Sequence, residues 1–353
     1  MKHIHAIAAS LAARGINGML ISHIRNVRYL TGFTGSNAAL LITGRERIFF
    51  TDSRYEEQSK REVRGFDIVI ELNERPKEIL EKARALGIKT LGFESTVSYA
   101  FYRSLLRKGI RVKGVTNLVE EMRRVKSALE IKMISKAVER AEKAFLDVKP
   151  HIRPGVPERY LAMQLETALK KRGCAVIPFD IIVAAGKNSA MPHARPSDNR
   201  IKPGDFVMFD WAGEAGGYFS DMTRTFLMKG GREHSKKIDI YATVLNANVN
   251  AIRSVHREST ARMVDKTARD IIKKAGYGDY FGHGTGHGVG LDVHELPRIS
   301  RFGRETIRSG MVFTVEPGIY LPGLGGVRIE DMVLVERQGC STLTSLPKKL
   351  EIL

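Results

Sequence analysis

Three histidines stand among alternating glycines in the stretch 281–297, which reads FGHGTGHGVGLDVHELP. The histidines are His283, His287 and His294. Glycine loses more backbone freedom on folding than any other residue, so glycines at alternate positions predict that something approaches the backbone closely. The pattern therefore predicts a ligand or a metal cluster lying against this segment, within reach of the histidines. The alternative is a glycine-rich surface turn with solvated histidines.

Two aspartates stand in the segment 205–226, which reads as two strands around a glycine-bearing turn. A hairpin centred between Ala215 and Gly216 predicts that Asp210 lies directly opposite Asp221. Carboxylates about 5 Å apart raise each other's pKa unless a cation lies between them. The pair therefore indicates either a shared proton or a metal site.

Further acids stand in the segment 313–333, FTVEPGIYLPGLGGVRIEDMV. Glu316 precedes a proline, which forbids a regular continuation and leaves its carboxylate at a strand end. Arg328 and Glu330 are two positions apart and so share one face of a strand, while Asp331 points to the other face. This segment is therefore expected to present two carboxylates and one guanidinium to the same site.

A hard, oxygen-rich donor set results from four carboxylates and one imidazole, namely Asp210, Asp221, His287, Glu316 and Glu330. Such a set suits two divalent ions such as Mn²⁺, Co²⁺, Fe²⁺ or Zn²⁺ about 3.5 to 4 Å apart, whose charges offset the four carboxylates. The expected nucleophile is a bridging water whose pKa the two ions lower. The roles of general acid and oxyanion stabiliser fall to His193, His283, His294 and Arg328. Amide hydrolysis is the reaction that fits this set of groups best.

The five donors, in this order and at this spacing, resemble the ligands of the pita-bread metallopeptidases, the group of methionine aminopeptidase, Xaa-Pro aminopeptidase, prolidase and creatinase. The likeness covers the whole chain. It implies an α/β creatinase-type N-terminal domain over residues 1–123 and an α+β pita-bread catalytic domain over residues 124–353.

Ligand roles also follow from the resemblance. It implies that Asp210 and Asp221 are ligands, the latter bridging; that His287 and Glu316 bind one ion; and that Glu330 bridges both ions.

Four more positions resemble the Xaa-Pro branch of the family: His193 within Pro-His-Ala, His283 four before the ligand histidine, His294 seven after it, and Arg328 two before the last ligand. The branch implies hydrolysis of the bond between an N-terminal residue and a following proline in short peptides, by an aminopeptidase or a dipeptidase. Methionine aminopeptidases share His193 and His294 but usually lack the large N-terminal domain. They remain one alternative, and a catalytically silent binding module is another, against which the intact ligand set argues. Relatives with this N-terminal domain are commonly dimers, so the resemblance also implies a homodimer.

Periodicity predicts the elements that must position these residues. In the first domain we predict helices at 4–14, 55–62, 77–85 and 97–108, and strands at 18–22, 38–42, 47–51, 67–70, 90–93 and 111–115, with 38–42 and 47–51 forming a hairpin. The polar segment 29–41 is interpreted as an ordinary loop. In the second domain we predict helices at 127–148, 157–172, 235–256 and 261–275, and strands at 179–186, 205–212, 218–228 and 310–316. Ser127 and Glu130 have the form of a capping box at the start of the first of these helices, and His193 falls in an irregular loop at 187–198.

Composition limits the partners. The formal charge is +18, yet 22 Lys+Arg against 13 Asp+Glu in residues 1–125 gives +9, and 35 against 26 in the remainder gives +9 again. Because the charge is diffuse and no basic run is interleaved with aromatic residues, we expect no specific nucleic-acid binding. No apolar run approaches the roughly 20 residues that span a bilayer, so no membrane segment is expected. Two distant cysteines and an amphipathic N-terminus favour a cytoplasmic protein.

Overall fold

The computed structural model describes residues 2–72, 74–106, 109–231 and 234–353. Contacts divide the chain into two compact units, Met1–Arg123 and Arg124–Leu353, called here the N-terminal unit and the C-terminal unit. Each unit contains its own clusters of buried apolar side chains. Among the described residues, none of the helices has the length and the apolar character needed to cross a membrane.

The N-terminal unit is an α/β layer. Its helices are α1 (Lys2–Ser10), α2 (Ile24–Thr31), α3 (Glu56–Glu62), α4 (Arg75–Ala85), α5 (Tyr99–Leu105) and α6 (Glu120–Arg123). Its strands are β1 (Gly18–Ile21), β2 (Ala39–Thr43), β3 (Arg47–Thr51), β4 (Asp67–Ile70), β5 (Thr90–Glu94) and β6 (Arg111–Val115). They form one mixed sheet in the order β4, β3, β2, β1, β5, β6. Because β2 and β3 pair antiparallel, the predicted hairpin is confirmed.

Two helices of this unit, α2 and the four-residue α6, are missing from the sequence predictions. Helix α2 buries Val27 and Leu30 and ends at Gly32, whose φ of 81° lies in the left-handed region. It takes in the first residues of the segment 29–41, so the interpretation of that whole segment as a loop was wrong. Eight residues give too few turns for a clear helical period, which explains the miss. The helix predicted at 97–108 is present as α5 over Tyr99–Leu105, and positions 107 and 108 lie outside the described residues.

The C-terminal unit is larger. Its helices are α7 (Ala128–Val148), α8 (Glu158–Lys171), α9 (His234–Arg253) and α10 (Ala261–Lys274). Its strands are β7 (Ile182–Ala185), β8 (Phe206–Trp211), β9 (Glu214–Ala215), β10 (Tyr218–Phe219), β11 (Met222–Leu227), β12 (Gly286–Gly288), β13 (Glu295–Ile299), β14 (Val312–Val315), β15 (Gly318–Leu321), β16 (Gly325–Arg328), β17 (Asp331–Val335) and β18 (Cys340–Thr342). The larger sheets run in the orders β11, β8, β7 and β13, β12, β14, β17, β18. Helix α7 starts with the predicted capping box, in which Ser127 Oγ accepts from the backbone N–H of Glu130 and the Glu130 carboxylate accepts from that of Ser127.

Helices cover both faces of these sheets. Alternate residues of a strand point to opposite faces, so Phe209 and Trp211 of β8 enter the core formed with α7 and α8, whereas Phe206 enters the core formed with α9 and α10. Phe145 of α7 stacks on Trp211 with ring centroids 4.6 Å apart. The strands are therefore held rigidly between two helix pairs, and their ends are the places where polar groups can converge.

The predicted register of the β8–β11 hairpin was wrong by one residue at its centre. The turn is formed by Gly216 and Gly217, whose φ angles of 58° and 81° suit a two-residue turn with both central residues left-handed. As a result Asp210 pairs with Thr223, not with Asp221. Asp221 is then the diagonal neighbour of Asp210 on the same side, which still lets the two carboxylates face a common site.

Candidate metal centre

Three overlapping groups of ligand-type side chains lie at the converging strand ends. They are Asp210, Asp221 and Glu330; His287, Glu316 and Glu330; and Asp221, His287 and His294. Within each group the candidate ligand atoms all lie within 4.8 Å of one another. The structure therefore brings all five sequence-predicted ligands together and adds His294 at their edge.

Each ligand comes from a different strand or strand end. Asp210 is near the end of β8, Asp221 immediately precedes β11, and His287 is the middle residue of β12. Glu316 follows β14, and Glu330 lies between β16 and β17. Because the proline after Glu316 ends its strand, as the sequence predicted, the carboxylate is released from the ladder at the point where the sheets meet.

Burial and mutual repulsion make the ionised form of the carboxylates in this cluster unfavourable. Burial raises the pKa of Asp221 well above its ordinary value, and the charges of Glu330 and Asp210 raise it further. Burial likewise raises the pKa of Glu330, with Glu316 and Asp210 adding to the effect. The pKa of Glu316 rises to about 7, again chiefly through burial. A bound cation would remove this cost, since an opposite charge favours the ionised form.

The tautomer of His287 supplies a test of whether the residues fit a metal. Its Nδ1 lies 3.1 Å from the carbonyl oxygen of Gly288, which can only accept, so Nδ1 carries the proton. Burial lowers the pKa of His287 to about 3, so the ring is neutral and Nε2 presents a lone pair. Nε2 lies 3.5 Å from Glu316 Oε1 and 3.6 Å from Asp221 Oδ2. Lone pairs facing carboxylate oxygens repel one another unless a cation lies between them.

Two buried carboxylate oxygens without hydrogen-bond partners also fit a metal site. Asp210 Oδ1 and Asp221 Oδ1 are buried, and neither has a hydrogen-bond partner within the described part of the chain. Buried carboxylate oxygens without donors are costly, and coordination of a metal is one way in which proteins satisfy them. The donor set of carboxylates and one imidazole is the type that binds Mn²⁺, Co²⁺, Fe²⁺ or Zn²⁺.

Arg328 connects the cluster to its surroundings. Its Nη2 lies 2.5 Å from Asp210 Oδ2 in a pair whose side chains are 4% and 14% exposed. Its Nε donates to Thr223 Oγ1 at 3.0 Å, and its Nη1 donates to Tyr320 Oη at 2.8 Å and to the carbonyl of Pro192 at 3.1 Å. With its donors engaged by protein groups, Arg328 holds Asp210, one of the predicted ligand acids.

His283 is part of a short hydrogen-bonded chain with Arg328 and Tyr320. Because Tyr320 Oη accepts from Arg328, its own proton is free to go to His283 Nε2, 2.9 Å away. The opposite ring nitrogen, Nδ1, donates to the carbonyl of Gly284 at 2.7 Å. Burial lowers the pKa of His283 to about 4, so the imidazole is neutral and both of its nitrogens are engaged. Both ring nitrogens of His283 are therefore occupied by protein groups.

His193 and His294 differ from His283 in being exposed. The ring of His294 lies against that of His287, with centroids 4.2 Å apart. Burial of part of the ring lowers the pKa of His294, the Asp210 charge opposes this, and His193 acts in the same direction as burial. His193 follows Pro192, whose carbonyl accepts from Arg328, so the backbone next to it is fixed beside the cluster.

Sequence reasoning missed several residues that serve the site. Thr223 Oγ1 donates to Glu330 Oε2 at 2.8 Å. Asn248 of α9 donates to the carbonyls of Val315 and Ile329, the residues just before two of the ligand acids. Thr223 lies two positions after Asp221 and so shares its strand face, which is a signal that the sequence did contain. The role of Asn248 depends on tertiary packing and left no such signal.

The glycines of the histidine stretch do permit close approach, but to protein rather than to a ligand. A Cβ on Gly286 would lie 1.9 Å from the carbonyl oxygen of Thr314, and one on Gly288 would lie 2.1 Å from that of Leu296. Neighbouring strands therefore lie against the backbone at these two glycines, while His287 and His294 of the same stretch belong to the candidate ligand groups. The stretch is not a surface turn, since β12 is the second strand of a five-stranded sheet.

Comparison with known proteins identifies the family. Residues 132–337 match metallopeptidase family M24, and residues 3–125 match the creatinase/prolidase N-terminal domain. The chain belongs to metallopeptidase family M24. It is a metallopeptidase with a creatinase-type N-terminal domain and a pita-bread catalytic fold, as the resemblance implied.

Similar M24 proteins align over nearly their whole length. The chain is 40% identical to an uncharacterized peptidase, YqhT, of Bacillus subtilis, covering 96% of each chain. It is 40% identical to an Xaa-Pro dipeptidase of Pyrococcus horikoshii, covering 95% of this chain and 94% of the relative. Among solved structures, an Xaa-Pro dipeptidase from Bacillus anthracis superposes with a TM-score of 0.95 at 38% identity, covering 100% of this chain and 99% of that one. An X-Pro aminopeptidase from Thermotoga maritima gives a TM-score of 0.88 at 35% identity, with 99% of each chain covered.

Proposed function

We propose that this M24 peptidase hydrolyses the bond between an N-terminal residue and a following proline in short peptides. The observation that carries the proposal is the five-ligand cluster with two exposed histidines next to it: the ring of His294 lies against that of His287, and His193 follows Pro192, which Arg328 binds. The names of its relatives support the same substrate class, since they include Xaa-Pro dipeptidases and an X-Pro aminopeptidase.

Two divalent ions per chain would be held by the cluster, and Mn²⁺, Co²⁺, Fe²⁺ and Zn²⁺ all suit its donors. Asp221, Glu330 and His287 each belong to two of the three ligand groups. Of these, only the carboxylates have two oxygens to share between ions, which supports a bridging role for Asp221 and Glu330. Asp210 would complete one site, and His287 with Glu316 the other. When bound, the ions supply Lewis acidity that polarises the scissile carbonyl and makes water nucleophilic near neutral pH.

The side chains around the cluster are assigned proton transfer, substrate binding and positioning. A proline after the scissile bond makes its nitrogen tertiary, so that nitrogen must receive a proton as it leaves. An exposed imidazole exchanges protons near neutral pH, and we assign this task to His294, with His193 beside it binding the polarised carbonyl or the peptide. His283, Tyr320 and Arg328 hold the geometry through their hydrogen-bonded chain.

A preference for dipeptides is supported by a residue that the sequence did not single out. Arg298 of β13 pairs with His287 of β12 across the ladder, so the two residues project from the same face of the sheet. Its side chain is exposed. The terminal carboxylate of an Xaa-Pro dipeptide lies one residue beyond the scissile bond, and a guanidinium is the group that binds a carboxylate most specifically. We therefore infer that Arg298 receives that carboxylate.

Substrate series test the proposal. Ala-Pro and Ala-Pro-Ala should both be cleaved at the Xaa-Pro bond after loading with Mn²⁺ or Co²⁺, with kcat/KM higher for Ala-Pro. Arg298→Met should reduce kcat/KM for Ala-Pro at least tenfold and change that for Ala-Pro-Ala much less. Arg301→Met is the matched control, because Arg301 is a nearby exposed arginine that stacks on Phe302. Faster cleavage of Met-Ala-Ser than of Met-Pro-Ser would instead favour a methionine aminopeptidase. Less than about one ion per chain, with no hydrolysis after metal addition, would favour a silent binding module.

The organisation of the protein is part of the proposal. We propose that residues 124–353 form the catalytic domain and residues 1–123 a creatinase-like domain that completes a homodimer. Cys174 and Cys340 are free thiols, which supports a working place in the reducing cytoplasm. Light scattering at micromolar concentration should give twice the monomer mass of 39.4 kDa, and a monomeric mass would refute the dimer.

A further inference from the structure

The loop between β7 and β8 carries His193, which is exposed. Next to it the carbonyl of Pro192 accepts from Arg328, and the backbone N–H of Ala194 donates to the carbonyl of Met191. These contacts fix the chain beside His193 but not the two ends of the loop. A loop imidazole that takes part in a reaction needs its supporting backbone fixed as well.

A single carboxylate, that of Glu158, ties both ends of this loop. Glu158 is the first residue of α8 and its side chain is fully buried. Its Oε1 accepts from the backbone N–H of Ala185 at 2.8 Å, and its Oε2 accepts from the backbone N–H and the hydroxyl of Ser197 at 3.1 and 2.7 Å. The side-chain amides of Asn188 and Asn199 also donate to it. The partners thus come from the entry, the first turn and the exit of the loop.

A carboxylate suits the position of Glu158 better than an amide does, because of its charge and its hydrogen-bonding capacity. An ionised carboxylate only accepts hydrogen bonds, which matches a site where all of these neighbours donate. The N-terminus of a helix also favours a negative charge. A glutamine would place an N–H₂ group against several N–H donors whichever way its amide turned. Burying a carboxylate costs free energy, so packing alone would not explain Glu158 at this position. Its hydrogen bonds to the one loop are what offset that cost.

We propose that Glu158 is a positioning residue that fixes the place of His193 in the reaction by tying both ends of the 186–199 loop. The proposal rests on the proposed function in assigning a catalytic task to His193. It goes beyond that function in placing the control of His193 on a buried acid of another element, outside the metal cluster.

The chain offers a matched control for Glu158 in Glu142. The Glu142 carboxylate, on α7, is also buried and accepts from the backbone N–H groups of Ser345 and Leu346 and from the Ser345 hydroxyl. Glu158→Gln and Glu142→Gln should lower Tm by similar amounts. Only Glu158→Gln should lower kcat on Ala-Pro, by about tenfold or more, with KM within threefold of wild type and metal content unchanged. An equal loss of kcat in Glu142→Gln would overturn the proposal.

A double-mutant cycle separates positioning from general stability. In a His193→Ala background, Glu158→Gln should reduce kcat by less than about twofold, because the group that it positions is gone. The same factor in both backgrounds would refute the proposal. Should Glu158→Gln fail to fold, Asn188→Ala takes its place, because it removes one donor to the same carboxylate. The same cycle with His193→Ala then applies, and the expected loss of kcat is smaller.

Hydrogen exchange provides a readout that needs no substrate. Peptides covering residues 185–199 should exchange faster in Glu158→Gln than in wild type and remain unchanged in Glu142→Gln. Unchanged exchange in that loop would refute the role of Glu158 whatever the activity. A wild-type enzyme inactive on Xaa-Pro peptides would refute the proposed function instead, so the two failures are distinguishable.

Discussion

Removal of the metal should make the stability of this peptidase fall as the pH rises. The buried acids of the cluster have pKa values raised above their ordinary range. A carboxyl whose pKa is higher in the folded chain contributes its full share of stability below its unfolded pKa. It loses that share as the pH rises through the folded pKa. For Glu316 the window runs from 4.5 to about 7.

The magnitude follows from Glu316. A difference in pKa of about 2.5, at about 1.4 kcal/mol per pKa unit, lowers the free energy of unfolding by about 3 kcal/mol between pH 4.5 and pH 7. Asp221 and Glu330 act in the same direction. For a catalytic unit of this size, about 3 kcal/mol corresponds to roughly 6 to 12 °C in Tm. Differential scanning calorimetry of chelated and metal-loaded protein at pH 5, 6, 7 and 8 should show the gap in Tm widening by at least that amount.

A charge-removing variant sharpens the prediction. Glu330→Gln keeps an oxygen to accept from Thr223 but removes one buried charge, so at pH 8 the chelated variant should have a higher Tm than chelated wild type. The same variant should lose activity and metal binding, since Glu330 is assigned to both ions. Glu139→Gln, at an exposed site on α7, should not raise Tm. A chelated wild type whose Tm is flat or rises from pH 5 to pH 8, or a chelated Glu330→Gln no more stable than wild type, would show that the cluster is not electrostatically strained.

Three further outcomes are expected. His294→Ala should reduce kcat on Ala-Pro by about 10² or more, the usual contribution of a general acid, with both ions retained on metal analysis, whereas His283→Ala should reduce it less. Tyr320→Phe leaves a buried N–H of Arg328 and a ring nitrogen of His283 unpaired and should cost about 1 to 3 kcal/mol in urea unfolding; a change below 0.5 kcal/mol, roughly the scatter of surface substitutions, would contradict the hydrogen-bonded chain. Asn248→Ala frees two buried carbonyls next to the candidate ligand acids and should weaken metal affinity measured by competition with a chelator, while Asn250→Ala, at a half-buried position of the same helix whose side chain bonds within the helix, should not.

Much of the site was predictable because its residues carry unusual chemistry at fixed spacings. Acids in strand patterns are rare enough to stand out, and the proline after Glu316 marked the strand end. Which groups meet in space was harder to predict. The hairpin centre depended on whether Gly216 and Gly217 or their neighbours formed the turn, and a one-residue change at the centre moved the partner of Asp210 from Asp221 to Thr223.

The glycine stretch shows why the remainder could not be predicted. Alternate glycines indicate that another group lies close to the backbone, but the sequence does not identify that group. In the fold the close neighbours are carbonyls of Thr314 and Leu296, which come from other strands of the same sheet. The roles of Asn248 and Glu158 were hidden for the same reason, because their partners lie tens of residues away in sequence.

The four contacts of Arg328 bear on how this active site could change over evolutionary time. The guanidinium binds the side chains of Asp210, Thr223 and Tyr320, but it meets Pro192 only through a backbone carbonyl. Substitutions at the three side chains are therefore epistatic, since each alters the hydrogen bonds left for the others. The backbone contact imposes no such dependence, because any residue supplies a carbonyl. Substitution is thus freer at position 192 than among the three side chains that Arg328 holds.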